Sequence, residues 1–102
     1  MSRVILGVDP GLTRCGVAVV RTNDRRKVDL IHVDTLKTSA DVELSERLLD
    51  IGARIEKLIL EHKPNQIAIE RVFAQANVRS VMGVAQISGV VLYLAKKHGV
   101  SV

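Results

Sequence analysis

The sequence predicts an α/β fold, a mixed sheet with helices packed on it, in the order β-β-β-α-β-α followed by the start of one more strand. Three observations carry this. Short apolar, β-branched runs bounded by turn residues fill the first third of the chain. A long stretch with apolar residues at spacings of three and four follows it. Beyond lie a second short apolar run and a second helical pattern. Period two marks strands and period 3.6 marks helices.

Residues 3–8, Arg-Val-Ile-Leu-Gly-Val, end at Asp9-Pro10-Gly11, strong turn chemistry, and read as a buried first strand. Residues 15–20 are again apolar and β-branched, and Thr22 to Lys27 is a polar turn. Residues 27–35 alternate loosely around Val28, Leu30, Ile31 and Val33, which completes an antiparallel meander. From about Asp41 to His62, Leu44, Leu48, Ile51, Ile55, Leu58 and Ile59 define an amphipathic helix, with Ser39 as its cap and Pro64 as its stop. Gly52 weakens that helix unless another element packs closely there.

The run Gln66-Ile67-Ala68-Ile69-Glu70 forms strand four, and a second helix is expected from about Asn77 to Lys97, ended by His98-Gly99. Val100-Ser101-Val102 then begins another strand. A domain seldom stops on the first residues of a core strand, so residues 1–102 are expected to form one domain, incomplete at its C-terminus. Strand one pairs with its hairpin partner on one side, and a crossover through the first helix returns strand four parallel to it on the other.

Hydrophobic residues make up 47% of the chain and charged residues 25%, the balance of a chain that packs a core rather than a disordered one. No apolar run approaches the roughly 18 residues of a membrane span, and no secretory pattern opens the sequence, so a cytoplasmic location is expected. Cys15 stands alone and reads as a small buried hydrophobe; His32, His62 and His98 are scattered and suit surface or helix-end roles. Net charge is +4. Residues 1–62 balance, and the excess comes from Lys63, Arg71, Arg79, Lys96 and Lys97 against Glu70 alone. A basic face of this kind suits a phosphate backbone.

The chemistry centres on two acids. Strands one and four both finish an apolar run in a single carboxylate, Asp9 and Glu70. If the strands are parallel neighbours, those ends lie at one sheet edge, roughly 4.8 Å apart in backbone terms. Carboxylates so placed repel each other, so either one takes up a proton or a divalent cation neutralises both. Open α/β sheets usually hold their ligands at such strand ends. The plain alternative is an Asp that opens a turn and a solvated Glu.

The run from Gly7 to Gly16, Gly-Val-Asp-Pro-Gly-Leu-Thr-Arg-Cys-Gly, resembles the first-strand motif of the RuvC family of Holliday-junction resolvases, crossover junction endodeoxyribonucleases. Ile67-Ala68-Ile69-Glu70-Arg71-Val72-Phe73 resembles that family's second motif, and the likeness extends over nearly the whole chain. The resemblance implies an RNase H-like sheet of order 3-2-1-4-5 and a dimeric endonuclease acting in recombination and repair. It makes Asp9 and Glu70 the first two of four acidic catalytic metal ligands. Two Mg²⁺ or Mn²⁺ ions, about 3.5–4 Å apart, would activate water and stabilise the leaving 3′ oxygen. Phe73 matches the family's aromatic near the junction crossover, and Arg71, Asn77, Arg79 and Ser80 fall on the expected DNA-facing segment. Taken alone, Phe73 fits a base-stacking wedge or a plug over the core equally well.

The implied partners are four-way junction DNA, a second copy of the chain and branch-migration proteins. The family's other two acids lie on a later helix that this sequence lacks, so the 102 residues alone are expected to be catalytically defective. Two other readings stand beside this one. Asp9, Gly11 and Thr13 also fit an actin-like ATP-binding lobe. The small and apolar Val81, Val84, Ala85, Ser88 and Gly89 also fit a non-catalytic module that binds branched DNA or dimerises.

Overall fold

In the computed structural model, residues 2–70 and 78–102 are described, residues 78–80 by their backbone. β1 (Arg3–Asp9), β2 (Arg14–Thr22) and β3 (Val28–Lys37) form the expected antiparallel meander, with β3 reaching two residues beyond the predicted stretch. Only residues 10–13 join β1 to β2, and the turn depends on Gly11, where a Cβ would collide with the Arg14 carbonyl oxygen. At the β2–β3 turn, the Asn23 side-chain oxygen accepts hydrogen bonds from the Arg25 and Lys27 amides at 2.9 and 3.1 Å.

Helix α1 (Leu44–His62) begins three residues later than the periodicity predicts, and Ser39 is not its cap. Ser39 instead closes a separate turn: its Oγ accepts the Asp41 amide and its carbonyl accepts the Val42 amide. Short polar side chains offer the backbone such local partners in competition with a helix, and here the turn wins. Glu43 precedes the first helical residue without a side-chain cap. At the other end Lys63 turns left-handed, its amide bonded to the Ile59 carbonyl at 2.9 Å, and Pro64 prevents continuation.

The chain then enters β4 (Gln66–Ile69), parallel to β1, which gives the order β3-β2-β1-β4. Asn65 sets the entry: its amide donates to the Val4 carbonyl, and its side-chain oxygen accepts the Val4 amide, both at 2.8 Å. α2 (Val78–Lys97) runs back across the sheet. It ends in a left-handed Gly99, with Val100 N–H bonded to the Ala95 carbonyl and Gly99 N–H to that of Lys96. Ser101 bridges Gln66 in parallel, which puts it beside β4 where the fifth strand is expected.

Both helices lie on one face of the sheet. Leu6, Val8, Cys15, Val17, Val19, Leu36 and Ile67 bury against Ile51, Ile55 and Ile59 of α1 and Ile87, Val91 and Leu94 of α2. A Cβ on Gly52 would stand 3.1 Å from Val90 Cγ1, so the glycine marks the close approach that its place in a helix called for. The alternate residues, among them Gly7, Gly16, Ala18 and Ala68, point to the opposite face, where no described helix packs.

Candidate active site

Because β1 and β4 run parallel in the register Val8↔Ile69, the residues that follow that pair, Asp9 and Glu70, stand at the same sheet edge. The Glu70 amide donates to the Val8 carbonyl at 3.0 Å, carrying the ladder one step past β4. Both acids are exposed, and both line an open cleft of about 510 Å³ on the sheet face opposite the helices. Its floor is made of Gly7, Gly16, Ala18 and Ala68. These small residues keep the ground below the carboxylates low: a Cβ on Gly16 would already touch Asp9 Cβ at 3.4 Å.

The donor set is two carboxylates, hard oxygen ligands of the kind that Mg²⁺ and Mn²⁺ take. Among the described residues no three His, Cys, Asp or Glu side chains gather into a cluster able to hold a metal ion. Asp9 and Glu70 therefore fit part of a divalent site and leave most of its coordination to water, substrate or further chain. Cys15 is fully buried, and that burial pushes its thiol pKa up, a pull the Gly11 backbone opposes and the nearby Asp9 charge reinforces. It is a core residue, as its isolation in the sequence predicts.

Of the other predicted site residues, Arg71, Phe73 and Asn77 lie outside the described residues. Arg79 and Ser80 fall in the first turn of α2, and their side chains also lie outside them. Lys63, Lys96 and Lys97 sit at the edge where β4 begins, the opposite end from Asp9 and Glu70, because α1 and α2 both finish there. Net charge counted along a sequence carries no information about which end of a helix crossover a residue occupies.

A second cleft, of about 850 Å³, opens beside the first, between the β1–β2 turn and the starts of α1 and α2. Asp9 borders both. Arg47, Thr13 and Thr38 meet there, a network the sequence reading missed. Arg47 Nε donates to Thr38 Oγ1 at 2.9 Å and Arg47 Nη2 to Thr13 Oγ1 at 3.2 Å. Thr38 Oγ1 donates in turn to the Leu12 carbonyl. The one available signal was a cation in the first turns of an amphipathic helix, which is ordinarily a solvated residue.

The family model described as crossover junction endodeoxyribonuclease RuvC matches residues 5–102. The chain belongs to the RuvC family. It is 53% identical over 98 residues to RuvC of Clavibacter michiganensis subsp. michiganensis, covering 96% of this chain and 48% of that protein. RuvC of Mycobacterium avium is 49% identical over 98 residues, with 96% and 52% covered. The chain thus spans about half the length of these RuvC relatives. Among solved structures, Thermus thermophilus RuvC in complex with a Holliday junction substrate superposes with a TM-score of 0.89 at 30% identity, over 98% of this chain and 62% of that one. Membership of the RuvC family sets aside the actin-like lobe, and the first four strands of the expected RNase H-like order, 3-2-1-4, are observed, with only the Gln66–Ser101 bridge at the place of the fifth.

Proposed function

We propose that the chain supplies the first two acidic ligands, and part of the DNA-facing surface, of a metal-dependent endonuclease that resolves four-way DNA junctions. The observation that carries this is the placement of Asp9 and Glu70 on successive ends of parallel neighbours, open to one cleft. Bound Mg²⁺ or Mn²⁺, two ions in the complete centre, would supply charge neutralisation and an activated water for phosphodiester hydrolysis. Asp9 and Glu70 hold that charge at the sheet edge, and the glycine and alanine floor leaves room for a phosphate to approach. No side-chain nucleophile is needed.

Arg71 and Arg79 neutralise phosphates, Asn77 and Ser80 hydrogen bond along the strand, and Phe73 stacks on splayed bases at the crossover. Residues 1–102 form part of a single RNase H-like domain. A homodimer places two such centres on symmetric strands. Its contact is the outward side of α2, where Met82 and Leu92 are 62% and 51% exposed and Gly89 has open space around it. Val81, Val84 and Ser88, expected on that stripe, are half-buried instead. Branch-migration proteins are the further partners, and the setting is the cytoplasm. No helix among the described residues is long and apolar enough to cross a membrane.

The test is junction cutting by the family-length protein that carries these residues. Asp9→Asn removes a charged ligand with little change of shape, so cutting should be lost while junction binding persists. Retained cutting removes Asp9 from the mechanism. Lost binding with the fold intact makes it a recognition residue instead.

A further inference from the structure

The β1–β2 turn carries Asp9 at its head, and residues on three other segments grip it. Thr38, just past β3, bonds twice: its amide donates to the Thr13 carbonyl at 3.1 Å and its hydroxyl to the Leu12 carbonyl. Arg47, on the first turn of α1, reaches across to both threonines, with Nε on Thr38 Oγ1 and Nη2 on Thr13 Oγ1. From α2, Gly83 abuts Leu12 so closely that a Cβ there would stand 3.1 Å from Leu12 Cβ.

Each bond has a clear chemical sense. The Thr38 hydroxyl uses its proton on Leu12 and a lone pair on Arg47, so its orientation is determined from both sides. The guanidinium spends two of its five donors in a rigid fork that a lysine ammonium cannot reproduce. Only residues 10–13 separate Asp9 from β2, and two of those four are held by this network. Asp9 is itself exposed and no described residue donates a hydrogen bond to its carboxylate, so its aim depends on the backbone that carries it.

We infer that Arg47 is a positioning residue for the metal centre, clamping the Asp9–Arg14 turn through Thr13 and Thr38 so that the Asp9 carboxylate is preorganised for a divalent cation. The inference rests on the junction-nuclease reading and names a residue beyond its acids. Groups that orient metal ligands from behind typically change metal affinity or activity by about 10–100-fold when replaced. A centre with few protein ligands depends on such support, because each ligand must already point correctly before the ion arrives.

The experiment uses the family-length protein and the variants Arg47→Lys, Thr13→Val and Thr13→Ser. Four quantities are read: the Mn²⁺ concentration for half-maximal junction cutting, Mn²⁺ binding without DNA by electron paramagnetic resonance, junction affinity by gel shift, and melting temperature. Arg47→Lys and Thr13→Val are expected to weaken Mn²⁺ binding and raise the half-maximal concentration by about tenfold. Junction affinity should hold. Thr13→Ser keeps the acceptor oxygen and should match the parent, a rescue that a packing role would not give. Unchanged Mn²⁺ binding in both Arg47→Lys and Thr13→Val overturns the inference, as does a loss confined to junction affinity or to melting temperature. A parent that binds Mn²⁺ but cuts no junction sinks the functional reading instead, while the binding comparison still decides the clamp. A parent that does neither sinks both.

Discussion

Glu56 Oε2 lies 2.6 Å from His98 Nε2 and 3.0 Å from Lys97 Nζ, so one carboxylate in the middle of α1 ties down the end of α2. The contact sits beside the left-handed Gly99 turn that leads Ser101 to the edge of β4. The hydrogen bond from His98, and then that from Lys97, hold the Glu56 carboxyl below the usual glutamate range. Lys97 is raised in return, first by its hydrogen bond to Glu56.

A carboxylate whose folded pKa is depressed contributes stability above its unfolded value, about 4.3, and loses it as pH falls through the folded value. The raised Lys97 acts in the other direction, contributing below about 10.4 and losing that as pH rises through its folded value. Glu56→Gln should therefore melt below the parent at neutral pH, and the gap should close in strong acid. Thermal melts across a pH series decide it. A gap that persists unchanged into acid means the contact does not act through charge.

The Gly52–Val90 approach predicts a steep dependence on side-chain size. Gly52→Ala gains helix propensity but sets its methyl 3.1 Å from Val90 Cγ1, so the two effects should nearly cancel. Gly52→Leu has no room and should cost about 1–3 kcal/mol, the usual range for overpacking. Urea unfolding of both variants measures this, and a stable leucine variant would show that α1 and α2 separate easily.

Cys15 is fully buried between β1, β3 and the helices, so the folded protein should resist thiol alkylation at neutral pH. Modification should appear only with unfolding. Rapid labelling under native conditions would mean that the turn and β2 open together.

The sheet order was legible because each strand run is short, apolar and bounded by turn chemistry, and because a helix of the right length lies between residues 8 and 66. The meeting of Asp9 and Glu70 at one sheet edge was legible for the same reason: each ends an apolar run, and parallel pairing then brings the ends together. The Ser39 cap failed because a serine hydroxyl serves a turn as readily as a helix start, and the sequence does not say which amide lies nearest. Arg47 and Asn65 were invisible because their partners, Thr13 and Val4, are 34 and 61 residues away along the chain. Only the folded sheet brings them into contact.

The split of the basic residues yields the last prediction. Lys63 and Lys96 stand at the far end of the sheet from Asp9, and Lys97 is paired with Glu56. Near Asp9, by contrast, Arg14 and Lys37 face each other across β2 and β3, both exposed. Like charges directly opposite in an antiparallel pair repel, so the arrangement is stabilised when a phosphate lies between them. Arg14→Gln and Lys37→Gln in the family-length protein should each weaken junction binding and lower the salt slope by about 1, as expected for one phosphate contact. Lys63→Gln and Lys96→Gln should leave both nearly unchanged. The 102 residues alone, which bring Asp9 and Glu70 together at one sheet edge, should bind junctions weakly and cut none. Gel shifts over a salt series, run beside a nicking assay with Mn²⁺, measure all of this. If the Lys63 and Lys96 variants lose binding while those of Arg14 and Lys37 do not, the DNA path crosses the other end of the sheet, and the cleft beside Asp9 and Glu70 is not where the scissile strand lies.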